Sequence, residues 1–242
     1  MAAPIRNVET SDIEVATKLC SFVVDTANKA IEENGVFTVG FSGGSLAKFL
    51  CNGLPGRETD WSKWRIFFCD ERHVPHDDPE CTYTIYLTGL VKKVNMDEKN
   101  IFPLNPDISV EEAAEDYLKK IRTVFPGDSI PRFDMLLLGM GPDGHTCSLF
   151  PGHALLEESS KIIVPIKDSP KPPPNRVTMT YPIINNCSCA VFASCGASKA
   201  EMVQRVLEGK EENPLPAARV QPTNGKVYWF LDTAAASRLQ SK

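Results

Sequence analysis

Apolar residues recur along the chain at two spacings, one typical of amphipathic helices and the other of buried strands. Near the N-terminus, Ser11 followed by Glu14 predicts a capping box, and a helical stripe then continues to Asn34-Gly35, which predicts a helix of about two dozen residues. The stripe comprises Ile13, Ala16, Leu19, Cys20, Val23 and Val24. The apolar run 36–41 predicts a strand, and after a Ser-Gly-Gly-Ser turn the residues 46–51 predict the start of another helix.

The same two spacings continue to the C-terminus. We predict further strands at 65–69, 135–138, 162–166, 177–180, 189–194 and 227–231. We predict helices within 78–93, after a second capping box formed by Ser109 and Glu112, after a cap at Ser198, and in the alanine-rich C-terminal segment. Because strands alternate with helices, we predict an α/β fold, a three-layer αβα Rossmann-like arrangement with a largely parallel central sheet, in one domain spanning residues 1–242.

Composition excludes several classes of partner. The chain of 242 residues is 42% hydrophobic and carries a net charge of −5, so it can bury a substantial core but has no general attraction to nucleic acid or to an anionic membrane. No signal peptide and no apolar run long enough to span a bilayer are found, which predicts a soluble, cytoplasmic protein. We expect a monomer, and we expect the eight scattered cysteines to be free thiols.

The richest chemistry follows the strand at 135–138. Glycines at 139, 141 and 144 let the backbone turn sharply and approach a ligand, and this loop carries Asp143 and His145. His145 is the best candidate for a general base, since an imidazole with a pKa near 6.5 can take a proton from water at neutral pH. Asp143 is a candidate to orient that ring, the alternative being an Asx turn within the loop.

A second group of residues suits a bound anion. Ser42, Gly43, Gly44 and Ser45 lie between a strand and a helix, where free N–H groups favour an anion, although a glycine turn used only for close packing is the alternative. Lys199 follows the predicted cap at Ser198, where the helix dipole disfavours a cation unless an anion lies nearby. Arg176 follows a proline-rich loop, and by itself such a residue is more often a surface arginine.

Two polar residues follow the strand at 65–69. Asp70 and Arg72 are candidates for the same crevice, the alternative being an internal Asp–Arg or Glu–Arg pair that shapes the loop. Cys69, His73 and His76 offer only three potential metal ligands, with Cys69 at the end of a buried strand, so we predict no metal site. His153 has no partner that the sequence identifies, and we predict that it lies on the surface.

Five segments resemble, in the same order, the superfamily of 6-phosphogluconolactonases and glucosamine-6-phosphate isomerases. They are Phe41-Ser-Gly-Gly-Ser45, Cys69-Asp-Glu-Arg-His-Val-Pro75, the segment 134–153, Asn175-Arg-Val-Thr-Met-Thr180 and Gly196-Ala-Ser-Lys-Ala200. The ending Asp-Gly-His-Thr-Cys-Ser-Leu-Phe-Pro looks like the lactonase branch. Members that isomerise and deaminate glucosamine 6-phosphate typically carry a glutamate five residues after the loop histidine, where this chain has Phe150.

The resemblance implies a function and a division of roles. It implies hydrolysis of 6-phospho-D-glucono-1,5-lactone to 6-phosphogluconate, the second step of the oxidative pentose phosphate pathway, with no cofactor. It implies that residues 42–45, Arg176 and Lys199 gather around the sugar phosphate and that His145 activates water. It also places Asp70 and Arg72 in the active site, and leaves Arg72 open between binding phosphate and stabilising the oxyanion. The alternatives are an isomerase–deaminase and a non-catalytic phosphosugar sensor.

Overall fold

Six parallel strands form the central sheet of the computed structural model, which describes residues 3–240. In chain order the elements are β1 Ile5–Glu9, α1 Asp12–Asn34, β2 Phe37–Phe41, α2 Ser45–Gly53, β3 Trp64–Phe68, β4 Asp70–Arg72, α3 Thr82–Tyr86, α4 Val110–Val124, β5 Met135–Leu138, β6 Ile163–Ile166, β7 Arg176–Met179, α5 Tyr181–Ile184, β8 Cys189–Ser194, α6 Ala200–Glu208 and β9 Lys226–Asp232. The central order is β1-β9-β8-β5-β2-β3, flanked by helices, which confirms the predicted α/β fold.

The inner strands are buried along their whole length. Every residue of β2, β5 and β8 is buried, as expected of parallel strands covered on both faces. No helix among residues 3–240 is both long and apolar enough to cross a membrane. All eight cysteines are unpaired, and seven of them are buried in the structure.

Helix α1 has the predicted length and buries four residues of the predicted stripe, Leu19, Cys20, Val23 and Val24, but its first turn differs from the prediction. The Ser11 hydroxyl caps the helix by accepting from the Glu14 N–H, whereas the Glu14 carboxylate accepts from the N–H and hydroxyl of Thr10 and leaves the box half-formed. Ile13, assigned to the apolar stripe, is 74% exposed, and Val15 is buried instead. Residues two positions apart in a helix point in directions about 200° apart, so when Val15 faces the core Ile13 faces the solvent.

A second sheet was not predicted. β4, β7 and β6 form a three-stranded antiparallel sheet, so the strands predicted at 162–166 and 177–180 exist but lie outside the central sheet. β1 was also missed, and it pairs with β9 at the edge of the central sheet. The second sheet was missed because a pattern of apolar residues does not specify which strand pairs with which. β1 was missed because only two of its five residues, Ile5 and Val8, are apolar.

Two predictions near the C-terminus were wrong. Ser198 does not cap a helix, because the chain leaves Gly196 at φ 93° and makes a 3₁₀ turn at Ala197–Lys199 before α6 begins. The alanine-rich segment after β9 forms turns and no regular helix among the described residues. Asp232 accounts for both, since its carboxylate accepts from the N–H groups of Gly196 and Ala235 and fixes the two segments against each other.

The outer strand β3 is completed by a tyrosine from α4. The buried Tyr117 hydroxyl accepts from the Phe68 N–H at 2.5 Å and donates to the Phe68 carbonyl at 3.1 Å. Phe68 ends β3 and comes two residues before Asp70, so Tyr117 supplies the partners that a further strand would give. This contact fixes the chain where it leaves the central sheet for the second one.

Tyr117→Phe should lower the free energy of unfolding by about 1–3 kcal/mol, because it leaves two buried backbone groups without a partner. Denaturant unfolding measures the change. The control is Tyr228→Phe, a half-buried tyrosine on β9 whose ring packs on Phe22 and whose hydroxyl makes no hydrogen bond to the described residues. Equal losses in the two variants would contradict the role assigned to the Tyr117 hydroxyl.

Candidate active site

The carboxyl ends of three neighbouring central strands open onto one cleft of about 270 Å³. β2 leads into the 42–45 loop, β5 into the 139–147 loop, and β8 ends at the cleft wall. β4 and β7 of the second sheet close one side. All of the predicted site residues except Asp143 line this cleft, and Asp143 contacts it through His145. Such a position beyond the strand ends is where open α/β sheets bind ligands.

The loop after β2 has the features of an anion site. Gly44 adopts φ 73° and ψ −145°, a conformation open mainly to glycine, and α2 then begins at Ser45 with no side chain capping its first N–H groups. The Ser42 hydroxyl is buried and has no hydrogen-bond partner among the described residues. The loop therefore offers free N–H groups at the start of a helix, as a bound phosphate requires.

Helix α3 holds this loop from behind. The Tyr86 hydroxyl donates to the Ser42 carbonyl at 2.8 Å, and a Cβ added at Gly43 would lie 3.1 Å from the Thr82 hydroxyl. Glu71, which the sequence did not single out, accepts from the N–H groups of Thr82 and Tyr83 at the start of α3. Burial raises the pKa of Glu71 to about 7, although its hydrogen bonds lower it.

Two cations lie on the cleft with part of their surface exposed. Lys199 donates from Nζ to the Met140 carbonyl at 2.9 Å, and burial lowers its pKa, as does the charge of Lys171. Arg72 donates from Nη1 to the carbonyl and the carboxylate of Glu80, at 3.0 and 2.7 Å. A Glu–Arg pair of the kind weighed from the sequence is therefore present, and Arg72 also lines the cleft.

Arg176 lies in the cleft wall and not on the surface. Its side chain is 4% exposed, and burial lowers its pKa. Its Nε and Nη2 groups donate at 3.0–3.1 Å to three consecutive carbonyls of the proline-rich loop, those of Lys171, Pro172 and Pro173. The remaining Nη1 lies 3.5 Å from the Ser148 hydroxyl and 3.9 Å from the Asp70 carboxylate. Most of the donors of Arg176 are thus used to shape the protein.

Asp70 is also tied into the wall. Its carboxylate accepts a 2.7 Å hydrogen bond from the Ser148 hydroxyl, and the backbone N–H of Ser148 donates to Thr178 on β7. Asp70 itself is paired with Thr178 across the second sheet. These contacts join the loop of His145 to the second sheet, so Asp70 fixes the position of that loop.

Asp143 and His145 form the hydrogen-bonded pair expected from the sequence. The Asp143 Oδ1 lies 2.5 Å from His145 Nδ1. Burial favours the neutral form of Asp143, but the hydrogen bond from His145 and those with its other neighbours lower its pKa to about 2, so at neutral pH it is an acceptor only. Nδ1 must therefore carry the proton, which leaves Nε2 as the acceptor. The Asx turn weighed from the sequence coexists with this pair, since the His145 N–H lies 3.4 Å from the same oxygen.

The His145 ring is held in a partly apolar setting. It packs against Phe150 with 4.7 Å between ring centroids. Burial lowers the pKa of His145, the hydrogen bond and charge of Asp143 raise it, and the charge of Lys171 lowers it, with a net decrease. The neutral imidazole, the form able to accept a proton, is therefore the main form at neutral pH.

Lys171 was missed by the sequence reasoning. Its Nζ lies 3.0 Å from Asp143 Oδ1 and 3.2 Å from His145 Nδ1. The only signal was its place in the proline-rich loop, a stiff segment that can hold a side chain at a fixed point.

The remaining histidines stay outside the cleft. No three His, Cys, Asp or Glu side chains within residues 3–240 come close enough to hold a metal ion. His76 bonds to the Leu104 carbonyl. His153, for which the sequence identified no partner, accepts from the Leu155 N–H and lies 3.1 Å from Asp168.

Fold and site define an α/β protein that has an uncapped helix start and a histidine–aspartate pair in one cleft. The family described as glucosamine-6-phosphate isomerases/6-phosphogluconolactonase matches residues 10–229. Proteins named 6-phosphogluconolactonase from Bos taurus and Homo sapiens are 49% and 48% identical to the chain, and each alignment covers 99% of this chain and 96% of the relative. A solved 6-phosphogluconolactonase structure from Trypanosoma cruzi is 25% identical with a TM-score of 0.86, covering 98% of this chain and 97% of that one. The chain belongs to the glucosamine-6-phosphate isomerase/6-phosphogluconolactonase family.

Gly141→Ala should lower the free energy of unfolding by about 1–3 kcal/mol, because the new Cβ would overlap the His145 ring and lie 2.8 Å from Asp143 Oδ1. Denaturant unfolding measures this. Gly139→Ala is the matched control on the same loop, since no atom lies within 4 Å of its Cβ position, and we expect it to be neutral or slightly stabilising. If both variants behave alike, the overlap with His145 does not decide the choice of glycine.

Proposed function

We propose that the protein hydrolyses 6-phospho-D-glucono-1,5-lactone to 6-phosphogluconate, the second step of the oxidative pentose phosphate pathway. The observation that carries the proposal is the Asp143–His145 pair, with Nε2 free to accept a proton, in the same cleft as the uncapped start of α2. The relatives named 6-phosphogluconolactonase, close to half identical over almost the whole chain, support this substrate. The protein would act in the cytoplasm and would need no cofactor. It would act as a monomer, since residues of one chain line the cleft.

The phosphate would bind at the start of α2. Free N–H groups of the 42–45 loop and the Ser42 hydroxyl would donate to its oxygens, and Lys199 and Arg72 would balance its charge. Arg176 would contribute by its charge and by shaping the wall, because most of its donors are already used. Binding the phosphate at one end of the cleft would orient the lactone carbonyl toward His145.

The reaction would then be general base catalysis. His145 Nε2 takes a proton from water as the water oxygen attacks the lactone carbonyl, and Asp143 stabilises the imidazolium that forms. The tetrahedral intermediate collapses by breaking the bond between the carbonyl carbon and the ring oxygen. The ring oxygen receives the proton from His145 and becomes the sugar hydroxyl, and the carboxylic acid ionises in water. Arg72 lines the same cleft, and its charge would stabilise either the phosphate or the oxyanion.

Phe150 favours hydrolysis over the isomerase–deaminase reaction. That position would hold the additional acid–base group of the deaminases, and here it holds an aromatic ring that is 1% exposed and packs on His145. Arg176 also lies over this ring, 5.7 Å from its centre. A non-catalytic sensor would need the phosphate site alone. It would not need a histidine whose Nδ1 carries the proton and whose Nε2 can accept one.

His145→Ala should reduce kcat at least roughly hundredfold, the contribution of a general base. Because the folded pKa of His145 is lowered, wild-type activity should persist at neutral pH and be lost as the pH falls below about 6.5. The measurement is proton release from freshly prepared lactone at pH 5 to 8, with spontaneous hydrolysis subtracted. Wild-type rates equal to the background would sink the lactonase proposal, and ammonia release from glucosamine 6-phosphate would move the deaminase forward.

Lys199→Met should weaken binding of 6-phosphogluconate roughly tenfold, because a charge-assisted contact to phosphate is lost. Binding is measured by calorimetry, with gluconate, which lacks the phosphate, as the comparison ligand. The exposed Lys210→Met, in the loop after α6, is the control and should leave affinity unchanged. Undiminished affinity in Lys199→Met would remove Lys199 from the phosphate site.

A further inference from the structure

The proline-rich loop between β6 and β7 holds its lysine in one place. The Ser169 hydroxyl donates to the Lys171 carbonyl at 2.8 Å and accepts from the Lys171 N–H at 3.3 Å. The Ser169 N–H donates to the Pro174 carbonyl, and the buried Arg176 guanidinium donates to the carbonyls of residues 171–173. Both ends of this turn are therefore fixed, and the Lys171 side chain begins from a rigid backbone.

The amine of that lysine meets the Asp143–His145 pair. Nζ lies 3.0 Å from Asp143 Oδ1, the same oxygen that accepts from His145 Nδ1. An ammonium group has donors only, so Lys171 does not accept the Nδ1 proton; it shares the carboxylate oxygen with the ring. Its 3.2 Å separation from Nδ1 places a positive charge beside the imidazole without a hydrogen bond to it.

We propose that Lys171 is a positioning residue for the reaction proposed above: it holds the Asp143 carboxylate on His145 Nδ1, and its charge keeps the ring unprotonated between turnovers. The inference rests on the proposed function only for its kinetic part. Lys171 does not line the cleft, so it acts through Asp143 and His145 and not by touching the substrate.

The charges facing His145 show why such a cation is useful. Asp143 on the same loop and Asp70 on β4 both favour the imidazolium. Arg176 lies over the Phe150 ring, Arg72 lines the same cleft, and Lys199 is close enough to interact with both Asp143 and Lys171. Lys171 is the cation whose amine contacts the pair itself, since its Nζ lies 3.2 Å from His145 Nδ1. Removing it leaves the two carboxylates opposed mainly by burial.

The test replaces the charge and follows His145 directly. In Lys171→Met, the midpoint of the His145 Hε1 titration, read by NMR and assigned with His145→Gln, should rise by about half a unit to one unit. The acid limb of kcat/KM should move upward by the same amount, because protonation of the base then begins at higher pH. Lys171→Arg, which keeps the charge, should restore both midpoints to within about 0.2 unit of wild type.

Lys167→Met is the matched control on the same loop. Lys167 is exposed and pairs with Glu111 on α4, so the variant should leave both midpoints unchanged. Ser169→Ala gives an independent route, since it loosens the turn that carries Lys171, and it should shift the His145 midpoint upward by less than Lys171→Met does. It also supplies the test if Lys171→Met does not fold.

Two outcomes would overturn the proposal. One is a His145 midpoint in Lys171→Met, or in Ser169→Ala where that variant replaces it, within about 0.2 unit of wild type. The other is an equal shift in Lys167→Met, which would show a general charge effect. The NMR titration requires no turnover, so it separates this inference from the proposed function: a wild-type protein without lactonase activity would still report whether Lys171 sets the protonation of His145.

Discussion

The parallel register of three central strands is the constraint on which the cleft depends. Phe41 of β2 is paired with Leu137 of β5, and Leu138 of β5 is paired with Phe192 of β8. The three strands therefore end at nearly the same level of the sheet, and this alone brings the residues that follow them together. The anion loop, the histidine loop and the wall at 193–195 are neighbours because their strands are buried, parallel and in register.

The second sheet adds what the central sheet lacks, a wall that carries charge. Its register places Arg72 directly opposite Arg176, an arrangement of like charges that costs stability in an antiparallel pair. Glu80 on Arg72 and the loop carbonyls on Arg176 offset that repulsion. One arginine is left partly exposed on the cleft while the other becomes a buried anchor, so two residues of the same type at facing positions have different tasks.

Local signals in the sequence predicted most of the elements, and they singled out the loops that meet at the cleft. The strand runs, the cap at Ser11 and the glycine loops all depend on neighbours within a few residues, where propensity and spacing apply. What failed was pairing over long distances. Lys171 reaches His145 across 26 residues of chain, and β4 finds β7 across about a hundred, and neither contact leaves a periodic trace. The prediction that Ile13 is buried was wrong for a different reason. Val15, two positions further along the helix, faces the core, and Ile13 therefore points to the opposite side.

Two buried polar groups near the cleft, Glu71 and Ser42, lower the stability of the folded protein, unlike the apolar residues of the core. The buried Glu71 carboxylate is the clearest, because its folded pKa of about 7 lies above its usual value. A raised folded pKa means that stability present below about pH 4.5 is lost as the pH rises through 7, so at neutral pH the ionised group costs folding free energy. Its three backbone hydrogen bonds do not fully offset its burial, yet they fix the start of α3, and α3 fixes the anion loop through Tyr86.

The unpartnered Ser42 hydroxyl adds a second cost at the same loop. These two costs lie around one loop, beside strands whose buried residues are mainly apolar, as expected where a segment is shaped for a ligand and not for the stability of the chain.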